Sequence, residues 1–407
     1  MTKRRSQTPS WPAAAAAVLV LVFFSSLGSV LSKSNLGPSA NLVSLESSGS
    51  PASLAVDASA PAPMLMVNND TPAPVRETVI AKTVPPENVA PAQRVARIDT
   101  GAPQKRQPAP AVPRVKAPKP PKTDLIDFKT APFPYNGVVP GTNQPFLNVS
   151  NGKDKGHRTG YGRVLWEKET YNDRRVLLHI PGGFDANRPG VIIVFFHGHG
   201  ATLERDVLNR QQVPAQISAS GMNAVLVAPQ FAVDAADSSV GRFGEPGGFG
   251  RFIGEAAYKL ARLNGEPSSA RKFAKMPVVI VAYSGGYLPA AWSVARGGLK
   301  NRVRGLVLLD ALYGELDKFA SWIKGDRSNF FVSAYTNSTR WQNAELERIL
   351  SAERDVSHTP MPKGKNWRGS VAFVATGPDV GHRDFVTRAW VNSPIKDVLV
   401  RLEEFRR

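Results

Sequence analysis

Apolar residues in this chain gather in short continuous runs separated by polar stretches. Val191 to Phe196, Asn223 to Ala228, Val278 to Tyr283, Val303 to Leu309, Asn329 to Tyr335 and Ser370 to Thr376 are dominated by β-branched, aliphatic and aromatic side chains. Such runs predict strands, and the unbroken ones, Val191 to Phe196 and Val278 to Tyr283, predict strands buried on both faces, as in a parallel sheet. Between them lie segments of helical composition: Leu203 to Ser220 (interrupted by Pro214), Phe252 to Leu263, Leu288 to Val294, Ala344 to Ala352 and Pro394 to Phe405. Upstream, Arg163 to Glu169 and Arg175 to Ile180 read as two further strands joined by the turn Tyr171-Asn172-Asp173, after an irregular lead-in from Phe128 to Phe146. Alternation of this kind predicts an α/β fold, a mostly parallel central sheet with helices on both faces.

The pattern breaks down towards the start of the chain. Residues 35–122 hold 16 of the 34 prolines and show no sustained period, so they are expected to form an extended, disordered, Pro-rich spacer. Before them, Lys3, Arg4 and Arg5 precede the uncharged stretch Ala13 to Leu31. This is an export signal over residues 1–34, either cleaved near Val30-Leu31-Ser32 or kept as a membrane anchor, and the bulk of the chain should lie outside the cytoplasm. Residues 123–407 remain as one domain large enough for a single substantial core.

Of the net charge of +18, +4 falls in 1–34, +4 in 35–122 and +10 in 123–407. A basic tether suits an anionic membrane or cell-wall polymer, or simply solubility. Nucleic acid is not expected, because no zinc spacing, recognition-helix pattern or aromatic-interleaved basic patch accompanies the charge. With no cysteine, the chain has neither a disulfide nor a thiolate metal site nor a cysteine nucleophile.

The run Val278 to Tyr283 ends abruptly at Ser284, with Ala282 two residues before and Gly286 two after. A buried strand turning sharply into a helix at a serine flanked by small residues is a nucleophile elbow, where crowding demands small neighbours and the hydroxyl stands clear. Such a serine needs a base. His382 follows the last strand, in Gly377-Pro378-Asp379-Val380-Gly381-His382, at the same sheet edge as Ser284. Asp310 ends the apolar strand after the nucleophile strand and is the expected acid, with Asp379 as competitor. The turn His197-Gly198-His199-Gly200 has two readings, a His-x-His metal site or a loop whose amides converge on an oxyanion. The second is preferred, because no further ligands follow closely. It casts His199 or Gly200 as one donor and Gly285 as the other. The Gly-rich stretch 233–251 is either a substrate-contacting lid or a plain loop, and Trp292, Trp322, Trp341, Trp367 and Trp390 are expected to pack in the core or on helices.

These residues resemble the α/β-hydrolase superfamily over about 175–405, in the chain order Ser284, Asp310, His382. The stretch Leu178-His179-Ile180-Pro181-Gly182-Gly183-Phe184-Asp185 and the His197 turn look like secreted esterases related to polyhydroxyalkanoate depolymerases and feruloyl esterases, although those carry Gly where this chain has Ala282. The resemblance implies an exported serine esterase that works through an acyl-enzyme on a small-molecule or polymeric ester, with no cofactor and no metal. Two alternatives stay open: a peptidase or amidase with the same machinery, and a non-catalytic envelope-binding protein on the same scaffold. Oligomeric state does not follow from the sequence.

Overall fold

The computed structural model describes residues 119–299, 301–361, 363 and 367–407. The expected signal segment, and the spacer up to residue 118, lie outside the described residues. Among the described residues no helix is long and apolar enough to cross a membrane.

The described residues form twelve strands: β1 (Lys122–Asp127), β2 (Val149–Asn151), β3 (Asp154–Arg158), β4 (Val164–Trp166), β5 (Arg175–Ile180), β6 (Val191–Phe196), β7 (Ala224–Pro229), β8 (Val278–Tyr283), β9 (Val303–Leu309), β10 (Phe330–Tyr335), β11 (Val356–Ser357) and β12 (Val371–Ala375). Nine form one sheet in the order β1-β5-β7-β6-β8-β9-β10-β12-β11, while β2, β3 and β4 form a small antiparallel sheet. Pairing is parallel from β7 through β6, β8, β9, β10 and β12 to β11. β5 is antiparallel to β7, and β1 is antiparallel to β5.

Alternation along the central strands sorts their side chains into two cores. Ile192, Val194 and Phe196 of β6, with Ile280 and Ala282 of β8, pack on one face with Phe249, Phe252 and Ile253 of helix Gly248–Asn264 and Ala290 and Ala291 of helix Tyr287–Arg296. Ile193 and Phe195, with Val279 and Val281, pack on the other with Val207, Ile217, Ile395 and Leu399. Both faces are covered, which is why these strands carry apolar runs without polar breaks.

Several elements differ from the sequence reading. Lys122, grouped with the spacer by composition, opens β1, and Lys119 is docked through its ion pair with Glu266 (2.6 Å) and its carbonyl bond from Gly183 N–H (3.1 Å). The strand expected over Arg163 to Glu169 is only β4, followed by a helical turn at Glu167–Thr170. Helix Leu316–Gly325 lay in a stretch left unassigned. The lead-in is irregular as expected, yet it buries Phe128, Phe133, Tyr135 and Phe146.

Candidate active site

Chain order runs outward from β6 in both directions: β7 lies on one side, and β8 and β9 on the other. Open parallel sheets bind ligands beside such a switch point, outside the carboxyl ends of the strands. The loops leaving β6 and β8 there carry His197-Gly198-His199-Gly200 and Ser284-Gly285-Gly286.

Ser284 sits at φ 52°, in the left-handed region that L-residues rarely adopt. The strain is held by packing. A Cβ placed on Gly286 would stand 2.5 Å from the Phe196 carbonyl oxygen, and one on Gly285 would run into the His199 ring. Ala282, the departure noted in the sequence, is fully buried between Phe196 of β6 and Leu308 of β9, with room for its methyl.

Ser284, His382 and Asp310 meet across the sheet edge. The Ser284 Oγ lies 2.8 Å from His382 Nε2, and His382 Nδ1 lies 2.6 Å from Asp310 Oδ2. Because a carboxylate only accepts, Nδ1 carries the proton, and Nε2 accepts from the serine hydroxyl. Asp310 is fully buried at φ 43°. Its Oδ1 also accepts from Thr336 N–H (3.0 Å) and Thr339 Oγ1 (2.8 Å), and its Oδ2 from Thr336 Oγ1 (2.9 Å). Burial alone would raise the pKa of this carboxyl, but the bonds from His382, Thr336 and Thr339 outweigh it and hold it below the usual value. The competitor Asp379 instead pairs with Arg388 at the surface.

Tyr283, not singled out in the sequence, fixes the histidine loop. Its hydroxyl donates to the His382 carbonyl (3.1 Å) and its ring stacks on the imidazole at 5.2 Å between centroids. Burial pushes this phenol up to about 12. A tyrosine between Ala282 and Ser284 reads in sequence as one more strand residue, so no signal marked it.

The two histidines of the β6 turn separate in role. His197 is buried: its Nε2 accepts from Phe231 N–H (2.9 Å) and its Nδ1 donates to the Gly198 carbonyl (2.8 Å). Burial lowers its pKa to about 4, so it stays neutral and ties the turn to the loop after β7. His199 faces the cleft and bonds through Nε2 to Ser238 Oγ (2.7 Å), which comes from the Gly-rich stretch. Burial, with His382 nearby, lowers its pKa too. Gly200, one of two expected donors, spends its N–H on the Ala235 carbonyl (2.9 Å). The His199 and Gly285 amides have no acceptor among the described residues. No group of three or more metal-ligating side chains occurs among the described residues.

The Gly-rich stretch forms a short 3₁₀ turn, Gly241–Gly244, and the start of helix Gly248–Asn264, with Phe243 and Phe249 fully buried. Only its first part reaches the cleft, through Ala236, Asp237 and Ser238. Tyr171 OH donates to Asp237 (3.0 Å) and steadies that part. Of the tryptophans expected to pack, Trp367 is buried and Trp322 and Trp390 pack at core edges. Trp341 does not pack: it is 83% exposed on helix Arg340–Leu350.

An open cleft of about 1040 Å³ lies over Ser284 and His382. Its lining includes Tyr287, Leu288, Tyr313, Arg205, Arg210 and Arg383, with the exposed Tyr161 from the loop between β3 and β4.

No protein-family profile matches the chain, and no curated relative does. Among solved structures, it is similar to a feruloyl esterase module from Clostridium thermocellum complexed with sinapinate (14% identity, 68% of this chain and 96% of that one, TM-score 0.38). It is also similar to an S-formylglutathione hydrolase from Agrobacterium tumefaciens (10%, 63% and 97%, 0.35) and a ferulic acid esterase from Anaeromyces mucronatus in complex with ferulic acid (10%, 73% and 92%, 0.33). Its own strand order, the strained serine turn after β8 and the order Ser, Asp, His along the chain make this an α/β-hydrolase fold.

Proposed function

We propose that the protein is an exported serine hydrolase that cleaves carboxylic esters through Ser284, His382 and Asp310. The observation that carries this reading is the unbroken hydrogen-bond line from Ser284 Oγ to His382 to Asp310, at 2.8 and 2.6 Å, opening into a cleft. A lone serine hydroxyl is a weak nucleophile, and a base oriented by a buried carboxylate is what activates it. Ser284 Oγ attacks the ester carbonyl carbon while its proton passes to His382 Nε2. The carbonyl oxygen becomes an oxyanion that accepts from the His199 and Gly285 amides, neither of which has an acceptor among the described residues. The alcohol leaves with the proton from His382. Water, deprotonated by His382, then attacks the acyl carbon and restores the serine. Asp310 stays ionised throughout and stabilises the imidazolium. A donor pair of this kind contributes roughly 3–4 kcal/mol per donor to the transition state.

The export half of the reading rests on the basic residues Lys3, Arg4 and Arg5 ahead of the uncharged run Ala13 to Leu31. Acyl-enzyme chemistry is tested by pre-steady-state release of 4-nitrophenol from 4-nitrophenyl acetate and butyrate, beside 4-nitroanilide peptides. A stoichiometric burst with the esters and slow or no turnover of the anilides is expected. Faster cleavage of the anilides would make the protein a peptidase, and no burst or turnover with either would remove the enzyme reading.

A further inference from the structure

The cleft has an uneven charge distribution that the acyl-transfer steps do not use. Arg205, Arg210 and Arg383 line it, and the lining carboxylates are Asp206 and Asp237. Both acids already have partners, and those of Asp206 include two of the arginines. Asp206 is buried and accepts from Thr202 N–H (2.9 Å), Arg205 Nε (2.9 Å) and Arg210 Nε (2.8 Å). Asp237 accepts from Tyr171 OH and Ser239 N–H.

The arginines, by contrast, keep donors in reserve. Arg210 uses Nε on Asp206 and Nη1 on the Arg383 carbonyl (3.3 Å), leaving Nη2 without a partner among the described residues. Arg205 spends Nη2 on Asp234 and the Gly200 carbonyl, and its Nη1 likewise has none. The Arg383 side chain, next in sequence to His382, has no hydrogen bond or ion pair among the described residues and is exposed in the cleft. The eight-residue π-helical segment Leu203–Arg210 sets this up. Its wide turn brings Arg205 and Arg210 together on Asp206, and Arg210 reaches over to the loop that carries His382. Asp206 and Asp234 offset the charges of Arg205 and Arg210, whereas the Arg383 guanidinium has no counter-ion among the described residues, and its planar fork matches a carboxylate.

We propose that the cleft selects esters bearing a carboxylate near the scissile bond, held by Arg383 with the spare N–H groups of Arg205 and Arg210. This rests on the ester-hydrolase reading of the same site. The apolar remainder of such a substrate lies against Tyr287, Leu288 and Tyr313, which also line the cleft.

Two substrate pairs test it, each corrected for its hydroxide-catalysed rate. 4-Nitrophenyl hemisuccinate against its methyl-capped form places the charge on the acyl side, and 4-acetoxybenzoate against its methyl ester places it on the alcohol side. The charged member of one pair is expected to have a kcat/KM higher by about tenfold or more. Arg383→Gln should erase most of that preference through KM, Arg383→Lys should keep part of it, and about 0.5 M NaCl should narrow it. No preference in either pair, or a preference that survives Arg383→Gln, overturns the proposal. If no ester is turned over at all, the hydrolase reading fails instead, and binding decides the subsite. Calorimetry of monomethyl succinate on Ser284→Ala should then show heat that the added Arg383→Gln change removes. No heat at millimolar ligand, or heat that the change leaves intact, overturns the subsite.

Discussion

Asp310 shows how a single side chain can be over-determined. Five hydrogen bonds converge on it from His382, Thr336, Ser338 and Thr339, in a site with no solvent access. Replacing it with Asn puts an N–H where an acceptor is needed, so the imidazole must turn its proton towards Ser284. Asp310→Asn is therefore expected to lower kcat by roughly 10⁴-fold with the fold retained, read from steady-state rates and near-UV circular dichroism. A loss smaller than tenfold would show that Asp310 does not orient the base. Ser238 acts one step further out, through His199. Ser238→Ala should cost roughly fivefold in kcat with little change in KM, the worth of one ordinary hydrogen bond. An effect confined to KM would mean that Ser238 contacts substrate instead. At this scale the sequence was uneven. A serine at the end of an apolar run, an acid ending the next run and a histidine after the last one can all be read from position. The bond that occupies Gly200 N–H cannot, because its acceptor, Ala235, lies in a loop whose path nothing local dictates. Tyr283 and the three arginines were missed for the same reason: their roles exist only where separate loops meet.

Strands were more legible than the elements around them. Buried on both faces, β6, β8 and β9 carry apolar runs whose ends coincide with the strand ends, and mostly parallel pairing follows once helices alternate with them, although the strand order does not. Short or half-exposed elements gave no such signal. β2 and β3 are polar and only three and five residues long, and β1 alternates weakly because it lies at the sheet's edge. Helix Leu316–Gly325 buries Phe319, Ala320 and Ile323 at helical spacing, but over too few residues to stand out. One strand position reads as a weakness and proves to be a packing requirement. Gly305 of β9 faces the Phe330 ring of β10, which lies where a Cβ would go and is packed edge-on against Trp367 (5.1 Å). Gly305→Ala should cost about 1–3 kcal/mol in denaturant unfolding, because the ring has no free space to enter. A neutral or stabilising result would show that the ring can move aside.

For the molecule as a whole, two buried imidazoles tie stability to pH. His179 bridges Thr123 and Ser218, and His197 bridges Gly198 and Phe231. Burial lowers the pKa of both from 6.5 to about 4, with Arg407 adding to the effect at His179. Unfolded, they take up protons that the fold refuses. Their contribution is therefore complete above pH 6.5 and is lost as pH falls from there towards 4, by about 3 kcal/mol for each. Asp310, with its lowered carboxyl pKa, loses its share in a separate window below about pH 4. Unfolding midpoints in urea should therefore drop steadily between about pH 6.5 and 4, and a flat profile there would contradict neutral, buried imidazoles. The whole-molecule charge of +18 is spread over all three sequence regions, so it bears on what the protein meets at its surface rather than on the fold.

On the reading proposed above, Ser284 is a nucleophile activated by His382. A fluorophosphonate probe reports this directly, since it forms a covalent phosphonyl bond only with an activated serine. Intact and peptide mass spectrometry of the labelled protein should show one adduct, on Ser284, that is absent from Ser284→Ala and strongly slowed in His382→Ala. Well-folded wild-type protein that takes up no probe, or takes it up equally in the Ser284→Ala variant, would contradict the account.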